Sequence, residues 1–82
     1  MTIEVHLFAT LAQYLPPSSD GGRVVLDVPD GATVDDVARL LAIPDAMARL
    51  ALVNGREVDP QERLTALDVL TLFPPLAGGA PP

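Results

Sequence analysis

Hydrophobic and polar positions alternate over Thr2 to Phe8, where Ile3, Val5 and Leu7 share one face and Glu4 and His6 the other. This is the pattern of a half-buried strand. From Ala9 to Leu15 the spacing lengthens to three and four through Leu11, Tyr14 and Leu15, predicting a short helical turn that Pro16-Pro17 stops. After the loop Ser18-Ser19-Asp20-Gly21-Gly22, alternation returns over Arg23 to Val28, with Val24, Leu26 and Val28 set against Arg23, Val25 and Asp27. Pro29-Asp30-Gly31 reads as a turn. Thr33 then stands three residues before Asp36 in a near capping-box arrangement, with Asp35 and Asp36 in the first turn of a helix. Its apolar stripe is Val34, Val37, Ala38, Leu40 and Leu41, and Pro44 ends it near Ala42.

Asp45 to Arg49 is expected to add a turn of helix. Leu50 to Val53 leads into Asn54-Gly55, a dipeptide that tolerates the positive φ angles of a tight hairpin, with Arg56 to Val58 as the return strand. Asp59-Pro60-Gln61-Glu62 opens a further turn for which Leu64 and Leu67 are the expected buried anchors. Val69 to Phe73 sets Val69, Thr71 and Phe73 against Leu70 and Leu72, so this strand is apolar on both faces. Such a run suits an interior strand, covered by the helix on one side and by something else, such as a partner protein, on the other. The pattern predicts an α+β roll in which one main helix crosses a mixed four- to five-stranded sheet. Residues 1–76 form the expected domain, and 77–82 a tail stripped of side chains by glycine and of donors by proline.

A length of 82 residues leaves room for one compact domain, and with no cysteine its stability must come from packing. The same absence removes thiol nucleophiles and thiolate metal sites, so any sulfur chemistry must borrow its sulfur. Eleven acidic residues against five basic ones give a formal charge of −6, with no basic cluster to neutralise phosphates. Nucleic-acid binding is not expected, whereas a basic groove on a protein partner is. There is no lysine. No basic start followed by an apolar stretch opens the chain and no apolar run approaches ~18–20 residues, so a soluble cytoplasmic protein without membrane association is expected.

His6 stands alone on a polar strand face and is expected to be solvated, with no metal site. Asp35 and Asp36 are explained by the helix start rather than by acid–base chemistry. Asp27, Asp30, Glu57 and Asp59 are candidates for an acidic docking surface. No nucleophile, metal set or phosphate loop supports a free-standing enzyme.

Four stretches, in order, carry a family resemblance: Val5-His6-Leu7-Phe8-Ala9-Thr10-Leu11, Pro29-Asp30-Gly31-Ala32-Thr33-Val34, Val53-Asn54-Gly55 and Phe73-Pro74-Pro75-Leu76-Ala77-Gly78-Gly79. Together they resemble the ThiS/MoaD sulfur carriers, which share the β-grasp fold of ubiquitin, and the last looks most like the small subunit of molybdopterin synthase. The resemblance implies a carrier protein, not an enzyme. It implies that an ATP-dependent activating enzyme adenylates the carboxyl of the second glycine, here Gly79, and that a sulfur donor converts it to a thiocarboxylate. The chain itself binds no cofactor in this scheme. The sulfur then passes to a substrate on a partner, either the molybdopterin synthase large subunit or another sulfur-accepting enzyme. Gly78 and Gly79 keep the tip thin enough for a catalytic tunnel.

Phe8, Leu70, Leu72, Phe73, Pro74, Pro75, Leu76 and Ala77 are the expected partner-binding residues around the tail exit. Ala80-Pro81-Pro82 departs from the family, because it locks the Gly79 carboxyl in a peptide bond. A peptidase, of the zinc-dependent deubiquitinase-like kind, is expected to remove it. An alternative is a ubiquitin-like binding or regulatory module whose tail is never cleaved. Thr65-Ala66-Leu67-Asp68 also departs, since the family more often has a Gly-Asp turn there.

Overall fold

The computed structural model describes residues 1–75. Five strands alternate with one helix: β1 (Thr2–Leu7), β2 (Arg23–Asp27), α1 (Val34–Leu40), β3 (Leu50–Val53), β4 (Arg56–Val58) and β5 (Val69–Phe73). A 3₁₀ helix, Ala9–Tyr14, follows β1. The strands form one sheet in the order β2-β1-β5-β3-β4. β5 lies at its centre, parallel to β1 and antiparallel to β3, while the two hairpins β1–β2 and β3–β4 flank it. The mixed five-stranded sheet with one main helix matches the expected α+β roll.

Strand alternation sends Ile3, Val5 and Leu7, Val24, Ala51 and Val53, and Leu70 and Leu72 to one face, where they meet Val34, Val37 and Ala38 of α1 in a single buried cluster. Each buried leucine or isoleucine side chain contributes roughly 1.5–3 kcal/mol by leaving water, which a disulfide-free domain depends on. Leu11 of the 3₁₀ helix, Ile43 and Leu64 close the cluster's margins.

The helix starts where its cap chemistry places it. Thr33 Oγ1 accepts the Asp36 amide at 3.1 Å, and the Asp36 carboxylate accepts the Thr33 amide at 3.0 Å. That reciprocal box satisfies two donors that a helix start otherwise leaves open. The helix ends by Ala42, whose φ of 62° leaves the helical region two residues before Pro44. Leu40 does not join the buried stripe and is 59% exposed. At 100° per residue it lies roughly 110° around the helix from the centre of the Val34, Val37, Ala38, Leu41 stripe.

Residues 45–49 form a turn and a bend rather than more helix. Arg49 reaches back into this loop, donating to the Met47 carbonyl at 3.0 Å and to Asp35 Oδ1 at 2.8 Å. The loop is thereby tied to the first turn of α1. Leu64 is buried as expected, but Leu67 is 80% exposed with φ at 69°. The turn there is set by the Asp68 carboxylate, which accepts the Thr65 amide at 2.8 Å and turns Leu67 outward.

The lateral rims of the sheet are partly covered. On β2, Arg23 already exchanges backbone hydrogen bonds with Asp20 at 2.8 and 3.2 Å. β4 has three residues, including the exposed Arg56 and Glu57. Among the described residues no helix is long and apolar enough to cross a membrane.

Candidate functional site

The site is the end of β5 from which the tail departs, on the sheet face opposite the helix. Here the Phe8 amide makes the last rung of the β1–β5 ladder, donating to the Leu72 carbonyl at 3.1 Å, and Ala9, at φ 54°, then swings the chain into the 3₁₀ helix. That change of direction leaves the Phe8 ring 52% exposed. In register beside it, Phe73 faces Leu50 across the β5–β3 ladder, and Thr71 faces Leu52. Phe73, Pro74 and Pro75 are half-buried, and Leu50 is 36% exposed. Phe8, Phe73, Leu50 and Leu52 therefore gather around the exit of the tail as an apolar patch.

Alternation along β5 divides the residues expected to bind a partner. Phe73 faces outward, but Leu70 and Leu72 have no exposed surface and sit in the core under the helix. They are structural, and their proposed partner contact is a correction. A strand apolar on both faces shows the division but not which half points inward. Leu76, Ala77, Gly78 and Gly79 lie outside the described residues. Leu50 and Leu52 were missed as site residues: alternation back from Asn54-Gly55 puts both leucines on one face, but their pairing with Phe73 and Thr71 of β5 is non-local and leaves no mark on the local pattern.

The opposite end of β5 is polar. Asp68 is buried, and its carboxylate accepts from the Thr65 amide at 2.8 Å and from Asn54 Nδ2 at 2.9 Å. Asn54, at φ 52° in the β3–β4 turn, accepts the Val69 amide through Oδ1 at 2.9 Å. The Thr65 amide, assisted by Asn54, holds the Asp68 carboxyl below the ordinary carboxylate range against the opposing effect of burial. Asp36 is lowered too, first by the Thr33 amide.

His6, on the outer face between Arg23 and Thr71, pairs with Glu4 and is half-buried. The acidic residues do not form one surface. Asp27 and Asp30 gather near the Met1 amino group, at 3.4 and 3.5 Å. Glu57 is on β4, at the other rim of the sheet, four strand spacings or roughly 19 Å from β2. Among the described residues no group of three or more histidine, cysteine, aspartate or glutamate side chains is arranged to hold a metal ion.

A five-stranded mixed sheet with its last strand in the middle and one helix across it is the β-grasp arrangement, so the molecule is a small ubiquitin-like protein. The sequence matches the Mut7-C ubiquitin family over residues 1–77, and the chain belongs to that family. In structure it is similar to SAMP1 from Haloferax volcanii, with 31% identity and a TM-score of 0.72 over 96% of this chain and 100% of that one. It shares its fold with a putative molybdopterin converting factor subunit 1 from Pyrococcus furiosus, at 24% identity and a TM-score of 0.67 over 90% of this chain and 97% of that one. The fold also recurs in a complex of subunits 1 and 2 of the molybdopterin-converting factor from Helicobacter pylori 26695, at 18% identity and a TM-score of 0.60 over 92% of this chain and 95% of that one. No curated protein sequence matches significantly.

Proposed function

We propose that this chain is a ubiquitin-like sulfur carrier whose working group is the Gly79 carboxyl, freed by removal of Ala80-Pro81-Pro82. The observation that carries this reading is the placement of β5. The strand is locked in the middle of the sheet and opens at an exposed apolar patch, and the sequence beyond it runs Pro74-Pro75-Leu76-Ala77-Gly78-Gly79. A rigid body thus delivers a narrow chain end to another protein's active site, which fixes position before any chemistry begins.

A free carboxylate is a poor electrophile. Attack of its oxygen on the α-phosphorus of ATP, with loss of pyrophosphate, gives an acyl adenylate in an activating enzyme. A sulfur nucleophile then forms a C–S bond at the Gly79 carbonyl carbon as AMP leaves with the electron pair of the breaking C–O bond. The carrier supplies the acyl group and its position, and the partner supplies cation and metal. Phe8, Leu50 and Phe73 are the docking surface for that enzyme. The sulfur acceptor is a molybdopterin-synthase-like large subunit, a reading favoured by the two-subunit complex in which the same fold occurs.

Intact-mass measurement of the protein from its native cell tests this. A chain ending at Gly79, with a fraction heavier by about sixteen mass units as oxygen is replaced by sulfur, is the expected result. Recovery of the full 82-residue chain alone, with an unmodified end, would favour the binding module whose tail stays uncleaved. The 31% identity to SAMP1, a small archaeal modifier protein, favours a second use of the same activated carboxyl, transfer to an amine of another protein. Gly79 remnants on lysines of other proteins are its signature.

A further inference from the structure

Asn54-Gly55, which turns β3 into β4, is also a chemically labile pair, because glycine has no side chain to keep its own nitrogen from the preceding carboxamide carbon. When that nitrogen attacks, a bond forms from the Gly55 nitrogen to Asn54 Cγ and the Cγ–Nδ2 bond breaks. Ammonia leaves with the electron pair and takes up the proton lost from the Gly55 amide. Water then opens the five-membered imide at either carbonyl. One opening gives aspartate at position 54, and the other gives isoaspartate, in which the main chain runs through the former side chain.

The fold holds the attacked group away from the attacker. Asn54 Nδ2 donates to Asp68 Oδ1 at 2.9 Å, and Asn54 Oδ1 accepts the Val69 amide at 2.9 Å. Both partners belong to the start of β5, which flanks β3 on one side, whereas Gly55 leads into β4 on the other. Cγ is therefore turned away from the Gly55 nitrogen, and the two meet only after both side-chain hydrogen bonds have broken. The backbone adds to the restraint. Asn54 at φ 52° and Gly55 at φ 86° make a two-residue turn closed by the Val53–Arg56 pair, and the Asn54 amide donates to the Val69 carbonyl at 2.9 Å. Asn54 is nonetheless exposed, so water reaches the imide as soon as it forms.

We infer that Asn54 is a deamidation site kept latent by the anchor of β5, and that its reaction leaves the anchor unable to re-form. In the aspartate product a carboxylate that only accepts stands where Nδ2 donated, which brings two negative charges together at Asp68. Asp68 is buried, so water does little to screen them. In the isoaspartate product the main chain gains an atom inside a two-residue turn, and the pairing of Val53 with Arg56 is displaced. Either way Asp68 loses a donor and β5 loses part of its hold. A passing opening of the hairpin, of the local kind that folds sample, thereby becomes a permanent one. None of this depends on the Gly79 reading, because it concerns the other end of the strand.

The test incubates the full chain in mildly alkaline buffer. Intact mass reads deamidation as a gain of about one mass unit, and peptide mapping places it at Asn54. The folded chain should react at least ~10-fold more slowly than the same chain unfolded in guanidinium chloride, a factor equal to about 1.4 kcal/mol. Asp68→Ala frees Nδ2 without touching the dipeptide, and, folded by circular dichroism, it should react faster than the parent in native buffer. If that variant does not fold, the parent alone serves: through guanidinium chloride below the unfolding transition, its deamidation and the hydrogen exchange of its Val69 amide should rise together. Asn54→Asp stands in for one product, and its Val69 amide should exchange at least ~10-fold faster than the parent's. Equal rates of deamidation in the folded and unfolded chain would overturn the latency, as would a parent-like rate in folded Asp68→Ala or deamidation that stays flat while Val69 exchange rises. Parent-like exchange at Val69 in Asn54→Asp would overturn the loss of the anchor.

Discussion

At its first residue β5 is fastened by polar groups. The Val69 amide bonds the Asn54 side chain, the Val69 carbonyl accepts the Asn54 amide at 2.9 Å, and Asp68 just before it bridges Thr65 and Asn54. At its last residue the neighbouring side chains are carbon, with Leu50 on the β3 side and Phe8 on the β1 side. Directional hydrogen bonds at the start set where the strand lies. Exposed apolar surface at the exit leaves binding free energy to be gained on contact with another molecule. The difference teaches that a strand can be fixed in register from one end while the other end stays available.

Substitutions can break or sharpen this contrast. Leu70→Ala removes a core side chain shared by both ends and should cost about 2–5 kcal/mol in urea denaturation, loosening start and exit together. Asp68→Ala leaves the Thr65 amide and Asn54 Nδ2 without their acceptor and should cost about 1–3 kcal/mol. Its hydrogen-exchange protection should fall first around Val69. Equal loss at Phe73 would show that the ends are not held differently.

Acid should act on the polar end and on the helix cap. The carboxyls of Asp68 and Asp36 titrate lower in the fold than in the unfolded chain, where aspartate takes up protons near pH 3.9. As pH falls the unfolded state therefore binds protons first. The stability from both residues is intact above about pH 5 and is lost as pH drops through the lowered folded values. Melting temperature followed from neutral pH to pH 3 should be flat and then decline, and Asp68→Asn should flatten the decline.

Leu67→Gly should stabilise by about 1 kcal/mol, because glycine adopts the positive φ without strain and the exposed side chain contributes little packing. For a domain of this size the melting temperature should rise by about 4–8 °C. Phe73→Ser should change stability least, by less than about 1 kcal/mol, yet weaken binding to the proposed activating enzyme more than ~10-fold in a titration.

Much of this was legible in the chain. Period-two alternation gave the strands, the Thr33-to-Asp36 spacing gave the cap that the two hydrogen bonds complete, and Asn54-Gly55 gave the hairpin through its tolerance of φ at 52° and 86°. Leu67 was misread because its three-residue spacing from Leu64 imitates a helical turn, whereas the Asp68 side chain imposes a different one. The same substitution explains the departure from a Gly-Asp turn: leucine occupies the left-handed position that glycine would fill at lower cost. Leu40 was misread by counting apolar residues without their angle. Leu70 and Leu72 were assigned to the patch because local pattern carries no information about which face the helix covers. The patch itself needs Leu50 and Phe8, which come to Phe73 only through strand pairing and a turn at Ala9.

The rims of the sheet bear on crowding. Asp20 already occupies the Arg23 backbone on one side, and the other side is a charged strand of three residues. A fibril grows by adding strands to a long row of open amides, and here the row is interrupted at Arg23 on one rim and is three residues long on the other. Copies that touch through their greasy outer surfaces therefore meet only short or interrupted edges, which limits how far strands can be zipped from one copy to the next.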